Sequence, residues 1–382
     1  MNGPPFSSDP FYEPPGVSID PTKLNGNGKH AAVTLVVDME SLEMESIEWL
    51  WERWIARGKF HLIAGAPEAG KTTLALSIGA AISSASYWPD GTKAPAGNVL
   101  IWTAEDGIAD TIKPRLVQMG ADLSRIKVVA GQRGPDGKTR PFNPATDMPS
   151  LAEAANAIPG GVSLLIIDPV VAAIGTKTNS HNNAETRNSL QPVLDFAEAT
   201  NCAVLGITHF TKGTAGKDPV ERITGSVAFG ALARIVLIAS KNAASNQSEA
   251  PRILVRAKSN IGPSGGGFGY DIIAAPLYER PDIIATRIAW QESIEGSARE
   301  LLAEAEGEEP GEGLSKQDQA KRFLKTALSS GERPQKDIET EAKQGGISWG
   351  TLKRASEGCD ITKRKDGLTG GWLWRLREPG GK

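Results

Sequence analysis

The eight residues Gly65-Ala66-Pro67-Glu68-Ala69-Gly70-Lys71-Thr72 constrain this chain more than any other segment. They match G-x-x-x-x-G-K-[ST] at every fixed position, which about 0.03 chance matches would supply in a glycine-rich chain of 382 residues. An apolar run, Phe60–Ala64, precedes the motif, and the uncharged stretch from Thr72 to Pro89 follows it. The expected local structure is therefore strand, tight glycine turn, then a helix from Thr72 to Ser84. Such a turn points backbone N–H groups inward, and the helix N-terminus adds partial positive charge, so the concavity suits a chain of phosphates. Gly65, Ala66, Pro67, Glu68, Ala69, Gly70, Lys71, Thr72 and Thr73 are accordingly the cofactor-binding candidates. Lys71 is expected on the β- and γ-phosphates and the Thr72 hydroxyl on Mg²⁺, which makes ATP and Mg²⁺ the expected cofactors.

A nucleotide bound with metal needs a carboxylate, and Asp168 ends the apolar run Leu164–Asp168, at the tip of a buried strand. Hydrolysis also needs a group to orient or deprotonate water. Glu105-Asp106 closes the run Asn98–Thr103, which is expected to neighbour the Phe60–Ala64 strand; Glu105 is the candidate base, with Asp106 supporting it or the metal. His209 closes Cys202–Thr208 as a candidate γ-phosphate contact. Arg234 and Lys258, beside two further apolar runs (Arg234–Ala239 and Arg252–Ala257), are candidate fingers for the transferring phosphoryl group. With Ile126–Val129 these runs alternate with helical stretches. Continuous Val/Ile/Leu runs suit strands covered on both faces. The fold class follows: an α/β protein with a mainly parallel sheet.

The string Gly65–Thr72, Trp102–Asp106, Leu164–Asp168, Thr208–Lys212, Thr224–Ser226 and Arg234 resembles the RepA-like hexameric replicative helicases, RecA-fold P-loop ATPases of plasmids and phages. The resemblance spans roughly residues 46 to 275. It implies Lys71 and Thr72 on nucleotide and Mg²⁺, Glu105 as catalytic glutamate, Asp168 as Walker B acid, His209 as γ-phosphate sensor and Arg234 as a finger acting on the adjacent protomer. It also implies a homo-hexamer. Pro169 follows Asp168 where a second acid often stands, leaving Glu105 to carry the catalysis.

Four segments are expected: a disordered lead 1–40, the ATPase domain 41–291, an acidic linker 292–312, and a DNA-binding winged helix 313–382. The net charge of −3 divides accordingly. Residues 1–291 carry 26 basic and 28 acidic residues, 292–312 carry 1 and 8, and 313–382 carry 15 and 9, so the tail is +6 behind an acidic spacer. Basic clusters of this kind neutralise phosphates. The expected DNA contacts are Lys177 and Arg187 in one polar loop (175–187), Lys212, Lys217 and Arg222 in another (211–222), and Lys353, Arg354, Lys363, Arg364 and Lys365 in the tail. The tail's Trp372 and Trp374 are expected to be core anchors. No apolar segment reads as a signal or anchor, and two distant cysteines suit a reducing compartment, so the expected location is cytoplasmic, without membrane contact. Two other readings fit the nucleotide motif. One is a DNA-bound regulator or partitioning protein switched by ATP; the other, a metabolite kinase, leaves the basic tail unexplained.

Overall fold

The computed structural model describes residues 37–174, 183–211, 214, 217–223, 227–243, 250–306, 316–329, 331–359, 361–365 and 371–376. Residues 1–36 of the expected lead lie outside them, as do Lys177 and Lys212. The chain divides into two compact units, Met1–Gly307 and Glu308–Lys382.

The first unit runs β1 (Trp49–Trp51), β2 (Ile55–Ala56), β3 (Phe60–Gly65), α1 (Lys71–Ser84), β4 (Val99–Thr103), α2 (Lys113–Gln118), β5 (Ile126–Val128), a small hairpin of β6 (Gln132–Arg133) and β7 (Thr139–Arg140), and α3 (Pro144–Asn156). It continues with β8 (Leu164–Asp168), α4 (Asn183–Ala199), β9 (Ala203–Ile207), α5 (Val227–Leu232), β10 (Ile235–Lys241), β11 (Arg252–Ser259), β12 (Gly267–Pro276), β13 (Ile284–Ile294) and α6 (Ala298–Ala305). One nine-stranded sheet holds most of these strands, in the order β13-β12-β11-β10-β3-β9-β8-β4-β5. Pairing is parallel from β10 through β5 and antiparallel from β10 to β13. This is the RecA-like arrangement.

The continuous apolar runs are explained by the two faces of this sheet. Ile63, Ile101, Ile166, Leu205 and Leu237 pack on the α1 side, with the stacked rings of Trp51, Trp54 and Trp88. Their strand neighbours Leu62, Leu100, Leu165, Val204 and Val236 pack on the other side, against residues of α3, α4 and α6. Successive side chains on a strand alternate faces, so a strand covered twice has no polar position to spare. His61 sits fully buried in this sheet, its Nε2 3.1 Å from the Ala56 amide and its Nδ1 3.3 Å from the Val204 carbonyl. Burial pushes its pKa down to about 4, so it stays neutral there.

Two expectations about organisation change. β4 is not beside β3: β9 and β8 lie between them. The crossover through α1 carries the chain past both positions, which later strands fill; roughly a third of consecutive elements are not spatial neighbours. Further, much of the stretch expected as an acidic linker belongs to the core. β13 runs to Ile294, and α6, opened by a capping box of Ser297 and Glu300, buries Ala298, Leu302 and Ala305 against the sheet. Its glutamates occupy the outer face of an amphipathic helix, which composition alone does not separate from a solvated spacer.

The second unit contains α7 (Lys316–Leu328), β14 (Arg333–Pro334), α8 (Gln335–Gln344), α9 (Trp349–Glu357), β15 (Ile361–Lys365) and β16 (Trp372–Leu376), with sheet order β14-β16-β15. Its own core comprises Leu324, Leu328, Ile338, Leu352 and Trp374, among others. Only one of the two expected tryptophan anchors is interior: Trp374 is 2% exposed and Trp372 is 50% exposed. They stand two apart on β16, so they share a face, but Trp372 lies at the end of the strand, beyond the reach of the helices that cover Trp374.

Candidate nucleotide site

The carboxyl ends of the parallel strands bring the expected site together. The loop after β3 wraps from Gly65 to Gly70, and α1 begins at Lys71 with Gly70 as its N-cap, in the left-handed region at φ +83°. A Cβ on Gly70 would fall 2.3 Å from Ile272 Cδ1, so both the backbone angle and the space require glycine here. Glu68 also adopts left-handed φ, +63°, and its carboxylate accepts from Lys241 Nζ at 2.6 Å. Tyr270 Oη donates to the Ala69 carbonyl at 2.5 Å. Lys241, Tyr270 and Ile272 thus brace the loop from β10 and β12. Sequence reasoning passed over all three, because an aromatic or aliphatic residue two hundred positions from a motif carries no local signal.

Inside the loop, Lys71 Nζ donates to the Ala66 carbonyl at 2.8 Å. Burial brings its pKa down to about 8, against the opposing pull of Asp168 and Glu105. Thr72 Oγ1 donates to Asp168 Oδ2 at 2.6 Å. Burial raises the Asp168 pKa to about 6; the Thr72 hydrogen bond opposes this, while the negative charges of Glu105 and Asp106 add to it. Asp168 is in register with Thr103 on β4, and its carbonyl accepts from the Ala104 amide at 2.9 Å. That register sets exposed Glu105 beside Asp168. His209 follows β9, with the neighbouring Phe210 amide donating to the Gly65 carbonyl at 3.2 Å. Burial, then Lys71, holds the His209 pKa below its ordinary value, so the ring is neutral at pH 7.

The donor set fits a magnesium-bound nucleotide. Thr72 and Asp168 offer hard oxygens at hydrogen-bonding distance, and Lys71 and the loop amides offer positive charge for phosphates. Among the described residues no cluster of three or more His, Cys, Asp or Glu could hold a metal by itself. A Mg²⁺ ion that shares its coordination with the phosphates needs no such cluster.

Several expected residues stand elsewhere. Asp106 Oδ2 is paired with Arg115 Nη1 at 3.2 Å, which takes it out of the metal-supporting role. Lys258 Nζ donates to the Gly230, Ala231 and Ala233 carbonyls at 2.7, 3.2 and 3.1 Å. All three ammonium hydrogens are engaged in capping the C-terminal end of α5, so Lys258 is no finger. Arg234 is exposed, but its amide donates to the Phe60 carbonyl, at the opposite end of β3 from the loop. Five residues of strand, ~17 Å, separate it from its own nucleotide site.

The expected DNA contacts also divide. Arg222 is buried: its guanidinium makes a bidentate pair with Glu306 (3.0 and 2.7 Å) and lies 4.3 Å from the Phe210 ring centroid. It cannot also meet a phosphate. Arg187 lies on α4, beyond its expected loop, and is exposed, as is Lys217. In the second unit Lys353, Arg354 and Lys365 are exposed. Lys363 Nζ instead donates to Ser356 Oγ at 2.7 Å over the Trp374 ring, and Arg364 makes a bidentate pair with Glu332.

A family model described as AAA domain matches residues 29–215. That span contains the glycine loop, Glu105, Asp168 and His209, all at one edge of a sheet with RecA-like strand order. The core is a RecA-fold P-loop ATPase domain. Among solved structures it is similar to the ATPase domain of a helicase, at 15% identity over 56% of this chain and 82% of that one, with a TM-score of 0.42. It is also similar to the RadB recombinase, at 19% identity over 60% and 91%, with a TM-score of 0.38. No curated protein matches the chain. Among the described residues no helix is long and apolar enough to cross a membrane.

Proposed function

We propose that this chain is a Mg²⁺-dependent ATPase of the RepA-like helicase type, which couples hydrolysis to unwinding of or translocation on DNA as a cytoplasmic homo-hexamer. The observation that carries the reading is the convergence of Lys71, Thr72, Asp168, Glu105 and His209 at one sheet edge while Arg234 stands at the other. A finger ~17 Å from its own nucleotide can serve only a neighbour's, so the placement suits a ring in which each site is completed across an interface. In this reading Lys71 and the loop amides bind the phosphates, and Thr72 and Asp168 hold Mg²⁺, which neutralises charge developing on them. Glu105 orients the attacking water and accepts its proton. Neutral His209 contacts the γ-phosphate, and Phe210, bonded to the Gly65 carbonyl, ties that contact to the loop.

DNA would meet Arg187 and Lys217 on the ATPase unit. The second unit, read as a winged helix, would offer Lys353, Arg354 and Lys365. Strand displacement on a forked substrate tests the proposal: wild type unwinds with ATP and Lys71→Ala does not. Equal unwinding by both, or none by either, would sink it. The withdrawal of Arg222, Lys363 and Arg364 into internal pairs thins the DNA-binding set and gives some support to an ATP-switched regulator. Turnover measured with and without single-stranded DNA separates the two, since a motor is stimulated and a switch is not.

A further inference from the structure

Resting on that assignment of Glu105, we infer that Arg115 is a positioning residue for it, acting through Asp106. β4 ends at Thr103, whose Oγ1 accepts from the amides of both Glu105 (3.3 Å) and Asp106 (3.1 Å), so the chain turns sharply at the sheet edge. Beyond the turn Gly107 opens a single π-helical turn, Ile108–Ile112, that leads into α2. A Cβ on Gly107 would fall 2.1 Å from Asp110 Oδ1, so the segment closes tightly only because residue 107 has no side chain.

Arg115 stands on α2 between Pro114 and Leu116, which are both buried and hold the helix to the core. Its guanidinium reaches back nine residues to Asp106, with both side chains about one-third exposed or less (26% and 31%). The two adjacent acids are thereby given different fates. Asp106 is neutralised and tied to a packed helix. Glu105 is exposed, and its charge is felt by Lys71, Asp168 and His209. A carboxylate that must hold one water in line needs a fixed backbone and no cation of its own. The Thr103 turn fixes one side of residue 105, and the Asp106–Arg115 tie fixes the other. The tie also keeps a second free carboxylate from competing for the same water or cation.

The test is steady-state ATP turnover by the full chain carrying Arg115→Gln, Arg115→Lys, Asp106→Asn, the Arg115→Gln/Asp106→Asn pair, or Glu105→Gln. Arg115→Gln and Asp106→Asn should each lower kcat about tenfold with KM for ATP within about twofold, the signature of misplacement after binding. The pair should be no slower than either single variant, because both break one tie. Arg115→Lys should recover to within about threefold of wild type. Additive losses, a change confined to KM, or unchanged kcat in Arg115→Gln would overturn the inference. Turnover lost in Glu105→Gln but normal in Arg115→Gln would overturn it alone. A wild-type chain without turnover would overturn the ATPase reading and this inference with it. Unaltered nucleotide binding by Arg115→Gln, measured in parallel, separates misplacement from misfolding.

Discussion

At Lys71 the loop spends binding capacity on itself. The ammonium donates to the Ala66 carbonyl and must leave it to reach a phosphate. Burial holds its pKa near 8, and bound phosphate raises it, so above pH 8 nucleotide binding must take up a proton. Affinity is therefore expected to fall up to about tenfold per pH unit above about 8. Titration calorimetry in buffers of different ionisation enthalpy should show the uptake, and Lys71→Arg should remove it. Asp168 carries the opposite strain. Its folded pKa of about 6 lies above the ordinary carboxylate value, so the folded state binds more protons between pH 4 and 6 and stability declines as pH rises through that window. Asp168→Asn is thus expected to raise the melting temperature, measured without nucleotide at pH 7, while abolishing magnesium-dependent nucleotide binding. An unchanged or lowered melting temperature would mean that the carboxylate's burial is fully compensated by Thr72. The roles of Lys71, Thr72 and Asp168 were legible in the sequence because the first two lie inside one contiguous motif and the third ends an obvious apolar run.

Among the elements, the antiparallel strand β12 contributes to the site without appearing in any motif. Tyr270→Phe removes the bond to Ala69 and leaves a buried carbonyl short of a donor, an expected cost of about 1–2 kcal/mol. The urea midpoint of unfolding should show it, together with weaker nucleotide binding as the loop loosens. The pair Arg222–Glu306 ties the segment after His209 to the end of α6, with side chains only 8% and 19% exposed. Removing one partner leaves a buried charge, so Glu306→Gln is expected to destabilise the ATPase unit by about 3 kcal/mol, read from denaturant midpoints. Composition could not anticipate this. A polar, glycine-containing segment with three cations reads as a phosphate-facing loop, and only a partner 84 positions away shows that Arg222 is committed elsewhere. The same holds for Lys363 and Arg364, whose partners lie on other elements of the tail.

For the whole molecule, two units with separate cores predict separable behaviour. A chain ending at residue 306 should retain basal ATP turnover within about twofold and lose most of its affinity for duplex DNA, with a shallower dependence on salt. Retention of the full chain's duplex affinity would remove the tail from DNA binding. The sequence by itself determined the phosphate loop, the doubly covered strands and the existence of a small basic unit, because each rests on local periodicity or on contiguous spacing. Neighbourhood was decided by tertiary structure alone. The order of strands placed β9 and β8 between β3 and β4, α6 turned an acidic stretch into core, and long-range ion pairs sorted the cations into committed and available. The physical reason is the range of the interactions involved. Backbone geometry and face alternation act over a few residues, whereas crossover connections and charge pairing join positions that only the folded chain brings together.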